Sequence, residues 1–290
     1  MGSLSSKVFT DRVPDAPRNP QIFANAGREY MEKCVPCPRI WASGMLTRPR
    51  YGARAEDFAE IARISHEHSQ RNPYAQFRQE YSLEEIVNAP MIYAPLTKLQ
   101  CSPTSDGAGA AVIVSQRFLD SKPHLRNQAI LMAGQSLMTD SPRLYSRSAM
   151  DLVGFDMSRK AVQAAYKEAG VGPKDVAVCE LHDCFSANEL ILLEGLGFCE
   201  EGQAHEMVRR GDITYGGKGP IINPSGGLIS KGHPLGATGL AQCAELCWQL
   251  RKLTERSLPY LATSEDADFR HQVDGRTIDW STPKSLCNTT

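Results

Sequence analysis

The sequence predicts a layered α/β fold, and three observations carry that prediction. From residue 106 onward, short apolar runs suited to buried strands alternate with stretches at helical spacing. Glycine and proline gather at the junctions between them, where an alternating chain must turn. The composition is 41% apolar and 22% charged over 290 residues, which suits a folded chain of about two domains. The net charge of -1 gives no global attraction to nucleic acid or to an anionic membrane surface. No stretch approaches the ~18–20 consecutive apolar residues of a membrane span, and the polar start is not a signal peptide. Nine cysteines, an odd number in a long chain, read as free thiols rather than a disulfide scaffold.

The first hundred residues are polar, rich in Arg and Pro, and mostly helical in pattern. Phe58, Ile61, Ala62 and Ser65 follow a helix from Glu56-Asp57 that should stop before Asn72-Pro73. A short helix opens at Ser82, with Glu85 completing a capping box. Between them and the start, residues 34–50 hold Pro36, Pro38 and Pro49, which forbid a regular helix, so this passage reads as an inserted loop. The small apolar run 106–114 is expected to be a buried strand, as are 129–134 and 176–181. Helices are expected at 158–170, ending on a glycine cap, at 186–196 with a Ser186–Glu189 capping box, and at 236–252. From Leu253 to Thr290 no period is sustained, and a loosely ordered tail is expected.

Two motifs stand where chemistry can be done. His182-Asp183-Cys184-Phe185 lies between a buried strand and a helix, the place where an α/β sheet presents reactive groups. The helix after it should favour a Cys184 thiolate, and His182 can move a proton near neutral pH. A buried thiol beside a structural histidine is the alternative. The second motif runs from Asn223 to Gly239, with five glycines between 226 and 239 and His233 held between Gly232 and Pro234. Such a backbone turns tightly or approaches a ligand closely, although a purely structural turn would also use it. Cys34-x-x-Cys37 lacks a second half, Cys243 and Cys247 share one helix face as packing residues, and His66 and His68 are expected to face solvent. No metal site is expected from them. No P-loop, GxGxxG or GxSxG motif is present.

With these motifs the chain resembles the thiolase superfamily, specifically the sterol carrier protein X type of thiolase. The resemblance rests on Asn223–Gly239, His182–Phe185 and Gly211–Lys218. Asn72–Phe77, Tyr81–Glu85, Ser105–Ala108 and Leu152–Met157 add to it, so that it runs from about residue 19 to 251 outside 34–50. It implies a thiolase-like layered fold that is incomplete: a loop domain over 1–105 with an insertion at 34–50, the last strand of the N-terminal half together with most of the C-terminal domain over 106–255, and a divergent, disordered tail over 256–290. It also implies a chemistry, the CoA-dependent cleavage of branched 3-ketoacyl-CoA or its reversal. His233 would activate the nucleophile and help form an oxyanion hole, Cys184 would be the acid/base cysteine, and His182 would be the oxyanion-hole partner. Coenzyme A would be a cosubstrate, with no permanently bound cofactor, and the family works as homodimers in peroxisomes.

The family's nucleophilic cysteine lies upstream of the matched region, and none of the nine cysteines here, Cys101 included, stands in its strand-to-helix context. The alternative reading is therefore a catalytically inactive chain that binds acyl-CoA or lipid or forms a dimer. No peroxisomal ending is present, so a cytoplasmic location is also open. The run 106–114 is expected to be short of sheet neighbours, which leaves apolar surface exposed and the isolated chain poorly folded or in need of a partner.

Overall fold

The computed structural model describes residues 17–33 and 51–251, together with the backbone of 270–273, 276–279 and 284–285. The insertion at 34–50, with Cys34 and Cys37, and most of the 256–290 tail lie outside the described residues.

Helix α1 (Arg18–Glu32) puts Gln21, Ala24, Gly27 and Tyr30 on one buried stripe at three-residue spacing. The Lys33 carbonyl just beyond it accepts from the Tyr51 backbone N–H at 2.9 Å, so the chain leaves at 33 and returns at 51 through one point. Helix α2 (Ala55–Ser69) matches the expected span and is buried on most sides, through Phe58, Ala59, Ile61, Ala62 and Ile64. Asp57 fixes its first turn: the carboxylate accepts from the Arg54 N–H at 2.7 Å and from the Arg209 guanidinium at 2.7 and 2.8 Å. Helix α3 (Leu83–Val87) has the capping box read from Ser82 and Glu85, with both reciprocal bonds formed.

Strands β1 (Met91–Tyr93) and β2 (Leu96–Thr97) form an antiparallel hairpin. The run 106–114 is not the buried strand the sequence suggests. It has no regular structure, and Val112 and Ile113 are 92% and 78% exposed. Its composition suits a strand with sheet on both sides, but among the described residues no strand pairs with it, and a strand unpaired at both edges does not persist. Helix α4 (Gln116–Asp120) comes next. The expected strand at 129–134 is reduced to β3 (Leu131–Met132), paired in parallel with β8 (Lys284–Ser285).

Helix α5 (Ala149–Leu152) is anchored by Glu29 of α1, whose carboxylate takes the Ser148 hydroxyl at 2.6 Å and the Ala149 backbone N–H. Helix α6 (Phe155–Ala169) closes at Gly170, as expected. Strand β4 (Val178–Cys179) covers the centre of the expected 176–181 run. It leads to α7 (Ser186–Gly195), α8 (Ala204–Arg209), β5 (Ile221–Ile222), α9 (Gly227–Lys231) and α10 (Thr238–Leu250). Strands β6 (Arg270–Val273) and β7 (Arg276–Asp279) pair in antiparallel fashion. Helix α7 is the axis of the core: Leu190, Ile191, Leu192 and Leu193 are all at most 2% exposed, with α1, α2, α6 and α8 packed around them. The expected Ser186–Glu189 capping box is not formed. Ser186 instead donates to Gln100 at 2.9 Å, and Glu189 accepts from Asn223 at 2.9 Å, because both are fully enclosed and find tertiary partners.

Candidate active site

Strands β4 and β5 lie side by side in parallel, with Val178 opposite Ile221 and Cys179 opposite Ile222. Two parallel neighbours deliver their downstream segments to the same end of the sheet, which is where an α/β fold builds sites. Thus His182–Phe185 and Asn223–His233, far apart in sequence, leave the sheet together.

Asn223 makes the join. Its backbone is left-handed, with φ of 49°, a conformation Asn tolerates better than most residues. Its N–H donates to the Cys179 carbonyl at 2.8 Å, its side-chain oxygen accepts from the Leu181 N–H at 2.8 Å, and its side-chain NH2 donates to Glu189. Two further carboxylates grip the second segment. Glu180 accepts from the Ser225 N–H at 3.0 Å and hydroxyl at 2.8 Å, and pairs with Lys231 at 3.3 Å. Asp183 accepts from the N–H groups of Leu228 at 2.7 Å and Ile229 at 3.4 Å. From α10, Gln242 holds the Leu181 carbonyl at 2.9 Å.

Residues 101–105 run between the two motifs and bind both. Ser102 N–H donates to the Cys184 carbonyl at 2.9 Å, Cys101 bridges Phe185, and Thr104 bridges His233. The Ser105 hydroxyl accepts from the His233 N–H at 3.2 Å and donates to Gln76 at 2.6 Å.

The imidazoles of His182 and His233 meet edge to face, with ring centroids 5.0 Å apart and planes at 86°. Burial lowers the pKa of both. His182 falls to about 4, with the neighbouring His233 charge adding to burial, and Lys231 adds to the lowering of His233. Both rings are therefore neutral at pH 7. His233 Nδ1 lies 2.7 Å from the Thr238 hydroxyl, which gives its own proton to the Pro234 carbonyl at 3.1 Å. That network assigns the ring proton to Nδ1 and leaves the Nε2 lone pair to take a proton.

Cys184 departs from the expected thiolate. It is 5% exposed, and burial first, then the adjacent Asp183 charge, pushes its pKa well above the usual thiol value. The helix end that was to favour the anion is outweighed by desolvation. Cys184 is a neutral thiol, suited to giving a proton rather than attacking. Cys101 is also pushed up, to about 12, by burial, and its thiol donates to the Thr97 carbonyl at 3.3 Å.

His66 and His68 are not solvated. They are 2% and 0% exposed because both sides of α2 face protein at this level. His66 bonds the Leu99 carbonyl at 3.1 Å through Nε2 and the Ser230 hydroxyl at 2.8 Å through Nδ1. His68 bonds the Asn223 carbonyl at 3.1 Å and the Thr214 hydroxyl at 2.7 Å. A carbonyl only accepts, so each ring donates to it and receives the hydroxyl proton at its other nitrogen. Cys243 and Cys247 are half-buried on α10. Glu180, and the tertiary hydrogen-bonding roles of Asp183, Asn223, His66 and His68, are not legible from spacing. The available signal was carboxylates at 180 and 183 flanking an otherwise apolar strand end.

The fold is thiolase-like. Residues 140–262 match the family described as thiolase C-terminal domain-like. It is 52% identical to the sterol carrier protein 2 of Bos taurus over 81% of this chain and 40% of that protein, so it spans about two fifths of that relative's length. Among solved structures it resembles the Ltp2-ChsH2(DUF35) aldolase, with a TM-score of 0.67 over 89% of this chain and 62% of the other at 23% identity. It also resembles human mitochondrial 3-ketoacyl-CoA thiolase, with a TM-score of 0.52 over 82% and 55% at 18% identity. At these identities the two structures speak to the fold alone. No helix among the described residues is long and apolar enough to cross a membrane.

Proposed function

We propose that this chain carries the proton-transfer and oxyanion-binding part of a thiolase-type site, acting on a (branched) 3-ketoacyl-CoA with coenzyme A as cosubstrate. The single observation that supports this most is the neutral His182–His233 pair, 5.0 Å apart, at the shared end of two parallel strands. Making or breaking a carbon–carbon bond beside a thioester carbonyl passes through an enolate and a tetrahedral oxyanion. Both need fixed N–H donors in a partly dry site. His233, its Nδ1–H fixed on Thr238, takes a proton at Nε2 and then donates it toward the oxyanion. His182 supplies the second contact. The Cys184 thiol, kept neutral by burial, delivers a proton to the α-carbon and takes it back in reverse. The family resemblance extends the proposal to a homodimer and a peroxisomal location.

A second reading is a non-catalytic acyl-CoA-binding or dimer-forming chain. It is favoured by the thiols themselves: Cys101, Cys179, Cys184, Cys199 and Cys247 all have raised pKa values, the reverse of an activated nucleophile.

Two measurements separate these readings. The first incubates the purified chain with a saturated acyl-CoA in deuterated buffer and follows label entering the α-carbon, a step that needs acid/base groups but no nucleophile. The catalytic reading expects exchange that falls on the order of 10²–10³-fold in His233→Ala. The second seeks an acyl thioester on the chain by mass spectrometry after 3-ketoacyl-CoA is added. CoA binding without exchange or adduct supports the second reading and refutes the first.

A further inference from the structure

We propose that Asp183 is a positioning residue: by tying the start of α9 to the turn that carries His182 and Cys184, it sets the approach of His233 to His182. In its catalytic meaning this rests on the function proposed above; in its geometry it stands alone.

The tie is direct. The Asp183 carboxylate is fully enclosed and commits one oxygen to the Leu228 N–H at 2.7 Å and the other to the Ile229 N–H at 3.4 Å. Leu228 and Ile229 open the single helical turn that ends at Lys231, two residues before His233. His182 is the neighbour of Asp183 on the other side. A shift of α9 therefore changes the spacing of the two rings with few bonds between to absorb it.

Gly227 shows how closely the two segments are fitted. It has φ of 59°, and a Cβ there would sit 2.0 Å from Asp183 Oδ2 and 2.6 Å from its Cγ. The carboxylate thus occupies the space a side chain would need, and glycine is required both by its backbone and by its partner. The grip is not an ordinary surface cap, because a buried carboxylate is retained only where its hydrogen bonds are good. Lys231 is the cation that faces it, and Glu180 and Glu189 are the like charges beside it.

The test reads ring geometry in the whole chain without substrate, so its outcome is independent of whether the chain is catalytic. Histidine side-chain NMR tracks the nuclear Overhauser contact between the His182 and His233 rings and the titration of His182. The wild type is expected to show the contact and a His182 titration near 4. Asp183→Ala and Gly227→Ala should each lose the ring contact and let His182 titrate upward toward 6.5, since both burial and the His233 charge are relaxed. Asp183→Asn keeps an acceptor for Leu228 but turns an NH2 toward Ile229. It should weaken the contact while preserving the fold, and it decides the matter if the alanine variants do not fold. Leu193→Ala, a core truncation away from the tie, should leave contact and titration unchanged. The proposal is overturned if folded Asp183 variants keep the wild-type contact and titration, or if Leu193→Ala disturbs them as much.

Discussion

Replacing Asn223 by Ala removes the join between the two motif segments. The Leu181 N–H loses its acceptor and Glu189 loses its donor, both in buried surroundings. Each unsatisfied group costs about 1–3 kcal/mol. The φ of 49° adds roughly 1–2 kcal/mol for a residue with a Cβ and no polar side chain to offset it. The expected loss is about 3–8 kcal/mol, a large part of the ~5–15 kcal/mol that holds a typical domain together. Asn223→Gly removes the backbone part and keeps the lost hydrogen bonds, so it should be milder than Ala by about 1 kcal/mol. Denaturant midpoints give the totals, and hydrogen exchange at the Leu181 amide reports the local effect. A loss under about 1 kcal/mol for Asn223→Ala, or an unchanged Leu181 protection factor, would refute the reasoning.

Stability should fall as pH rises from about 6.5 through 7. Asp183 and Glu245 are both raised to about 7, by burial first, so the folded state holds their protons above the unfolded values and that stabilisation is lost as pH climbs to 7. His68 and His182 are lowered to about 4 by burial and act oppositely, but only between about 4 and 6.5, where the two effects oppose each other. Glu245→Gln should flatten the fall above about 6.5 in thermal melts across this range. Tyr30→Phe removes a buried donor to Glu194 and should cost about 1–3 kcal/mol in a denaturant titration. Val112→Lys with Ile113→Glu should lower self-association in sedimentation velocity without changing the far-ultraviolet spectrum, because both side chains are exposed and outside the core.

Where local chemistry decided the outcome, the sequence was readable. Helix α2, the Ser82–Glu85 box and the Gly170 stop depend on residues within one or two turns, and each formed as expected. The pairing of His182 with His233 was readable from motif resemblance, because the glycine pattern and the HDCF turn are specific combinations. What failed depended on neighbours that a linear pattern does not contain. Residues 106–114 have a strand's composition, but a strand exists only where another pairs with it. His66 and His68 sit on a helix with several charged residues and looked solvated, yet the helix is covered on most sides. The nearness of Cys184 to a helix start favours a thiolate, and the desolvation that overrides this comes from tertiary packing that leaves the residue 5% exposed. Ser186 and Glu189 had the spacing of a local cap and found better partners across the core.

The bond from the Tyr51 N–H to the Lys33 carbonyl holds residues 33 and 51 together at one point of the described structure. The span that any connection between 33 and 51 must bridge is therefore short and fixed by that bond. Trimming those 17 residues to a turn of about four should gain only roughly 1 kcal/mol in closure entropy, and lengthening them should lose as little. Position 33/51 is thus a natural port for grafting a reporter or an affinity handle onto this protein.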